Sequence, residues 1–195
     1  SPLISLISNF RENKNRGFTD IGIYEIGPGF SGPKPGQQTS IAAGLRTGIY
    51  KSTGTERHWQ GNEKVDVFDV KSDVFSYLDL INISNDLFTH AIPGSDWYHP
   101  GRSANIISEK GEIMASFGEI HPKILSKLNI PSCVGFEIYL DEMLKVIDTQ
   151  NDNKEFTFYN LQAVKRDFSF DIPINMNSSI LIDAINSCNI DLIDD

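Results

Sequence analysis

The chain has 195 residues, of which 17 are Lys or Arg and 26 are Asp or Glu, so it carries a net charge of −9 and a pI near 4.9. At roughly 100–200 residues per domain it is one domain and part of a second, and 39% hydrophobic residues with twelve Phe can bury a core, which excludes a disordered chain. No apolar run approaches the roughly 18–20 residues of a membrane-spanning helix, no signal-peptide pattern opens the chain, and the acidic balance works against the basic face of a sequence-blind nucleic-acid binder.

Ser1 as N-cap, Pro2 in the first helical position and Leu3, Leu6, Ile7 and Phe10 at helical spacing predict an amphipathic helix that Gly17 ends. Residues 20–26 read as a strand with apolar side chains on both faces, Ile21 and Ile23 alternating with Tyr24 and Ile26, which predicts an interior strand covered on both sides. The Gly- and Pro-rich stretch from Gly27 to Gln38 joins it, as a long hairpin loop, to a second strand over 41–50. From Asp66 to Ile81, Val67, Phe68, Val74, Phe75, Leu78 and Ile81 form the stripe of a long helix. Short strands follow near 86–92, 104–108 and 112–119, the last two as a hairpin across Glu109, Lys110 and Gly111. Pro122 opens a short helix carrying Ile124, Leu125 and Leu128, residues 134–140 (VGFEIYL) are a buried strand, and another helix begins near Asp141.

Residues 149–155 (TQNDNKE) hold no apolar side chain and read as a linker, which divides the chain into a first domain over 1–150 and a second unit over 156–195. In the second unit RDFSFDIPI reads as a strand with Phe168 and Phe170 on one face, followed by a helix over 178–189 capped by Asn177 or Ser178. One strand and one helix cannot offset their own ordering entropy, so this unit is expected to be cut short at Asp195 or completed by another chain. Opening on Ser1 rather than Met likewise predicts a piece of something longer.

Cys133 and Cys188 stand far apart with no CxxC or Cys/His spacing, and His58, His90, His99 and His121 form no HxH or HExxH pair; a reducing cytoplasm fits, and no metal site is indicated. Gly27, Gly29 and Gly32 spell GxGxxG after a strand, but Pro33, Pro35 and Gly36 exclude the helix whose N-terminus would hold a pyrophosphate, so a hairpin loop is the better reading. The cluster SDWYHPGRS gathers Ser95, Asp96, His99 and Ser103, the residue types of a hydrolase. There is no GxSxG elbow, and the alternative is a rigid corner in which Pro100-Gly101 turns the chain and Arg102 pairs with a carboxylate. Lys165-Arg166, beside two aromatics, is either a solvated strand end or a nucleic-acid contact. FREN (10–13) has the wrong spacing for the FRxE signature and reads as helix surface.

These features give an α+β protein. Four blocks then carry a resemblance: NFRENKNRGFTDIGIYEIG (9–27), YHPGRSANI (98–106), FGEIHPKIL (117–125) with FEIYLD (136–141), and AVKRDFSFDI (163–172). In that order and at these separations the chain resembles the C-terminal part of bacterial phenylalanyl-tRNA synthetase beta subunits. The resemblance implies a class II aminoacyl-tRNA synthetase-like antiparallel sheet flanked by helices, which has lost its active-site signatures and packs on the catalytic alpha subunit of an α2β2 assembly. It also implies the start of a ferredoxin-like anticodon-binding unit, truncated here, with Lys165 and Arg166 toward the phenylalanine tRNA. Catalytic and metal residues are then expected to be absent from this chain, with ATP and Mg²⁺ used by the whole enzyme to attach phenylalanine to tRNA. For the subunit contact the candidates are His99 and Arg102, because an Arg on a rigid turn makes geometrically selective contacts. The competing expectation is a free-standing RNA- or nucleotide-binding module that uses the GPGFSG loop or Lys165-Arg166.

Overall fold

The computed structural model describes residues 1–50, 63–83, 87–147, 164 and 166–188. The chain divides into two compact units, Ser1–Asn153 and Lys154–Asp195.

Helix α1 (Pro2–Asn15) starts as its sequence dictates, with the Ser1 hydroxyl accepting from the Leu3 N–H at 3.1 Å, and it buries Leu3, Leu6, Ile7 and Phe10. Strands β1 (Ile21–Phe30) and β2 (Gln38–Thr47) form an antiparallel hairpin in register from Ile21↔Thr47 to Phe30↔Gln38. The connecting loop is therefore only residues 31–37; Gly27, Pro28 and Gly29 belong to the strand, and no helix follows the GxGxxG string. Beyond Thr47 the chain breaks at Gly48, whose φ of +97° L side chains rarely adopt and where a Cβ would strike Asp20. The short strand β3 (Ile49–Tyr50) then pairs with β4 (Glu63–Lys64).

Helix α2 (Val67–Leu80) begins with a capping box in which Asp66 and Asp69 satisfy each other's backbone N–H groups. Its buried line is Val70, Val74 and Leu78; Phe68, expected on the stripe, is exposed, because at 100° per residue it lies roughly 200° around the helix from Val70. Strands β5 (Phe88–Ala91), β6 (Tyr98–Ser108) and β7 (Ile113–Ile120), helix α3 (Pro122–Leu128), strand β8 (Val134–Tyr139) and helix α4 (Leu140–Ile147) complete the first unit.

The main sheet has the order β1-β2-β8-β7-β6-β5 and every pair in it is antiparallel. Helices α1 and α3 pack on one face around Leu45, Tyr98, Ile120 and Cys133; α2 and α4 pack on the other around Ile106, Met114, Phe117 and Ile138. In this order β1 is an edge, which corrects the interior position expected of it. Its Ile21 and Ile23 pack with the α1 cluster, but Tyr24, Ile26 and Phe30 on the opposite face are 79%, 65% and 68% exposed. Pro28, which has no N–H to give a ladder, is tolerated because the strand is an edge.

A second correction concerns YHPGRS. The chain does not turn a corner there; residues 99–102 bulge out of β6, whose register passes from Tyr98↔Ile120 directly to Ser103↔Gly118. The bulge lies so close to β7 that a Cβ on Gly118 would sit 2.8 Å from the Arg102 carbonyl oxygen and 2.4 Å from the Ser103 Cβ.

In the second unit helix α5 (Ser178–Asn186) follows Asn177 as N-cap. Residues 166–173 form no strand, against expectation: a strand exists through its ladder partner, and no segment among the described residues pairs with them. Phe168 and Phe170 nevertheless lie side by side, ring centroids 6.3 Å apart. The expected linker over 149–155 lies outside the described residues.

The bulge geometry yields a first prediction. Gly118→Ala forces backbone rather than a flexible side chain to move, so urea denaturation is expected to show a loss of about 1–3 kcal/mol, the usual cost of overpacking.

Candidate functional site

The bulge in β6 presents His99 and Arg102, and its local bonds show what holds them. The His99 Nδ1 accepts from the Gly101 N–H at 3.0 Å, while its carbonyl accepts from the Ser103 hydroxyl at 2.7 Å. Arg102 donates through Nε to Glu119 on β7, whose other oxygen accepts from the Ser132 hydroxyl at 3.1 Å. Partial burial pushes the Glu119 carboxyl up, but the hydrogen bonds from Arg102 and Ser132 and the charges of Arg102 and His99 outweigh it and hold its pKa below the usual value. Arg102 thus pairs with a carboxylate within its own chain, and half of its side-chain surface stays exposed.

The same geometry dismantles the hydrolase reading. Neither Ser95 nor Ser103 bonds the His99 ring: Ser103 serves the His99 carbonyl and the Gly94 N–H, and Ser95 bonds Ser116, Oγ to Oγ, at 2.9 Å. A nucleophile without a base in reach is not activated.

The structure also assembles a group of residues that sequence reasoning passed over. Asn105 on β6 pairs with Ser116 on β7, and Ser116 pairs with Glu137 on β8, so three polar side chains lie in one row across the centre of the sheet. All three are buried, Ser116 and Glu137 completely. Glu137 accepts from the Ser1 hydroxyl through Oε1, with the Trp97 indole as a second donor beside the carboxyl, whereas the Asn105 Oδ1 has no hydrogen-bond partner. Burial pushes the Glu137 carboxyl up; hydrogen bonds from the Ser1 hydroxyl and the Trp97 indole offset this only in part. The same burial, together with the Glu137 charge, raises the hydroxyls of Tyr98 and Tyr139, the latter to about 12. One signal existed: Glu137 is the lone carboxylate in a run, VGFEIYL, that otherwise reads as fully buried, and such a residue needs a partner.

Two concavities flank the sheet. One, of about 540 Å³, lies over β1 and β2 beside α2 and includes Tyr24, Arg46, Asp73 and Phe136. Its cation is committed, since Arg46 pairs with Asp73 at 2.7 Å. The other, of about 500 Å³, lies between α1 and α3, with Glu137 and Trp97 among its lining residues. Neither offers a set of groups for ATP with Mg²⁺: the first holds an Arg neutralised by Asp73, the second is largely aliphatic and sets Arg11 and the Glu137 carboxyl in one lining, and among the described residues no three His, Cys, Asp or Glu side chains are grouped to hold a metal ion.

Of the expected tRNA contacts, Lys165 lies outside the described residues, and Arg166 is exposed two positions before Phe168. Cys133 is buried, which lifts its thiol to about 12 and leaves it unreactive.

Against known families, residues 1–140 match the model described as the phenylalanyl tRNA synthetase beta chain CLM domain. The chain belongs to this family. Phenylalanine–tRNA ligase beta subunits from Bartonella henselae and Paramagnetospirillum magneticum are each 34% identical to it, over 99% and 100% of its length. The chain spans 24% of the length of either relative. In fold it is similar to two solved pyrrolysyl-tRNA synthetase structures from Desulfitobacterium hafniense, with TM-scores of 0.54 and 0.52 at 17% and 14% identity, each covering 76% of this chain and 49% of the other. The α+β architecture, a six-stranded antiparallel sheet between helices, is thus a fold shared with those two synthetase structures.

Within this phenylalanyl-tRNA synthetase beta domain, the strings that carried the resemblance have definite places. HPGRSA is the bulge, GEIHPK runs from β7 through the His121 N-cap into α3, and FEIYLD supplies the central strand with Glu137.

The two carboxylates predict opposite pH slopes. The Glu119 pKa is depressed on folding, so its contribution is present above the ordinary value of 4.5 and is lost as pH falls through the lower folded value. For Glu137 the folded pKa is raised, so stability falls as pH rises from 4.5 through the higher folded value. Denaturation midpoints measured from pH 3 to 8 are expected to fall less steeply toward acid in Glu119→Gln than in wild type. In Glu137→Gln they are expected to gain on wild type as pH rises.

Proposed function

We propose that this chain is the subunit-assembling part of a phenylalanine–tRNA ligase beta subunit. In this reading residues 1–150 are a class II-like domain that does no chemistry and holds the catalytic alpha subunit within an α2β2 enzyme in the cytoplasm. Residues 156–195 begin a ferredoxin-like anticodon-binding unit that leads to tRNA through Lys165 and Arg166. The alpha subunit would carry ATP and Mg²⁺, activate phenylalanine to its adenylate with loss of pyrophosphate, and pass the aminoacyl group to the terminal ribose of the tRNA with loss of AMP.

The observation that carries the scaffold role is the uncovered face of β1. Tyr24, Ile26 and Phe30 project from an edge strand of a sheet whose other apolar rows are packed, and a neighbouring protein surface is what such a strip needs. His99 and Arg102 add a polar contact that is already rigid, since Glu119 fixes the guanidinium before any partner arrives. The lack of fit to ATP and Mg²⁺ supports placing the chemistry on the other subunit.

Size-exclusion chromatography with light scattering, on the chain alone and mixed with the alpha subunit, tests this reading. Co-elution is expected. Tyr24→Asp combined with Ile26→Asp is expected to weaken it at least ~30-fold, the equivalent of about 2 kcal/mol at an interface hot spot, while the exposed positions leave folding unchanged. Failure to co-elute with the chain still folded would overturn the scaffold role. ATP–pyrophosphate exchange by the chain alone would overturn its non-catalytic part.

A further inference from the structure

The two helical layers carry opposite charge. Helices α2 and α4 hold five carboxylates and two cations, in keeping with an acidic chain, whereas α1 and α3 hold one carboxylate, Glu12, and four cations, Arg11, Lys14, Lys123 and Lys127. Lys14 is committed, its ammonium donating to the Asn129 carbonyl at 3.3 Å where the ends of α1 and α3 meet. Arg11, Lys123 and Lys127 are exposed and, among the described residues, make no hydrogen bond or ion pair. The cleft of about 500 Å³ lies between these two helices. Ile4, Ile7 and Arg11 recur along α1, and Ile124 and Leu128 lie one turn apart on α3, so each helix turns one flank to it. Lys123 and Lys127 precede Ile124 and Leu128 by one position, which sets them roughly 100° around α3, on its solvent side. Trp97 and Glu137 close one end, where the Ser1 hydroxyl and the Trp97 indole already serve the carboxyl; Arg11 and Lys127 stand toward the other.

We propose that this cleft is the docking groove for an acidic amphipathic helix of a partner protein, its aliphatic side chains lying along Ile4, Ile7, Ile124 and Leu128 and its carboxylates meeting Arg11 and Lys127. An aliphatic trough lipped by unpaired cations complements a helix that is apolar on one face and carries carboxylates beside it. The complementarity is local: the chain as a whole carries −9, so an acidic partner is drawn to this layer rather than to the surface at large. RNA shares the negative charge, but its unpaired bases stack on aromatic faces, and Trp97 is the one aromatic side chain among the described residues that line the cleft. The groove lies on the opposite face of the sheet from Tyr24, Ile26 and Phe30, so this contact stands independently of the partner assigned to that strip.

The test is titration of the 195-residue chain with a helical peptide of about five turns that carries Leu at three- and four-residue spacing and Glu between, and with its twin carrying Lys in place of Glu. Affinities are read from the Trp97 indole resonance by NMR, which reports the cleft and not the acidic surface elsewhere. Saturable binding of the Glu peptide at least ~10-fold tighter than the Lys peptide is expected. Arg11→Glu is expected to weaken the Glu peptide at least ~10-fold and to spare the Lys peptide, because the charge that discriminates them is reversed. Ile4→Ser removes apolar wall without touching charge and is expected to weaken both peptides alike, at least ~3-fold. Ile4 is 71% exposed and Arg11 is exposed, so both variants keep the fold, which circular dichroism checks. Equal affinities for the two peptides, no shift of Trp97 by either, a Glu preference that survives Arg11→Glu, or a single-stranded RNA of about ten nucleotides that shifts Trp97 as tightly as the Glu peptide would each overturn the proposal.

Discussion

The first unit is organised around one strand that must be apolar on both faces. Strand β8 lies between β2 and β7, and each helical layer rests on it: Leu3 of α1 reaches within 3.2 Å of where a Cβ on Gly135 would stand, and Val134 and Ile138 face the cluster built with α2 and α4. Both cores therefore share a single wall. Shifting β8 by one residue would exchange its two faces and unpack both clusters together. The register Gly135↔Gly118 and Gly44↔Phe136 is what prevents this: Phe136 lies over Gly44, where any Cβ would meet its ring at 2.3 Å, so the strand locks to β2 by shape as well as by hydrogen bonds.

Placing a carboxyl in that wall runs against the hydrophobic economy of the fold. Glu137 is held by the Ser1 hydroxyl, and Ser1 is also the N-cap of α1, so the same oxygen donates to Glu137 and accepts from the Leu3 N–H. The start of the helix and the centre of the sheet are thereby joined through one hydroxyl. This explains why α1 sits with its first turn over β8 rather than sliding along the apolar surface, since a position set only by Leu3, Leu6, Ile7 and Phe10 would be less directional.

What was legible in the sequence follows from how local each determinant is. The Ser1-Pro2 start of α1 and the Pro122 start of α3 depend on neighbours within four residues, and each reads correctly. Whether β1 is an edge or an interior strand depends on which segment pairs beside it, and its two-faced apolar pattern pointed inward where the fold places it outward. The bulge at residues 99–102 was hidden for the same reason: Pro100-Gly101 is turn chemistry, and only the register against β7 shows that the chain continues in the same strand. The buried row of Asn105, Ser116 and Glu137 is the least local feature, assembled from three strands, although the solitary Glu in VGFEIYL was a visible mark of it.

The contrast between the centre of the sheet and its β1 edge bears on function. At β8 apolar side chains are covered by helices from both sides; at the β1 edge only the α1 face is covered, and Tyr24, Ile26 and Phe30 are exposed. A ten-residue edge with such a strip would pair with copies of itself unless something discouraged it. Pro28 does so by removing one donor from the ladder, and Glu25 places a charge in the same strand. These devices oppose strand addition while leaving the side-chain face available. The arrangement is therefore suited to a partner that packs on the face of β1, not one that extends the sheet, and a packed side-chain contact is the kind that fixes two subunits in a single relative orientation.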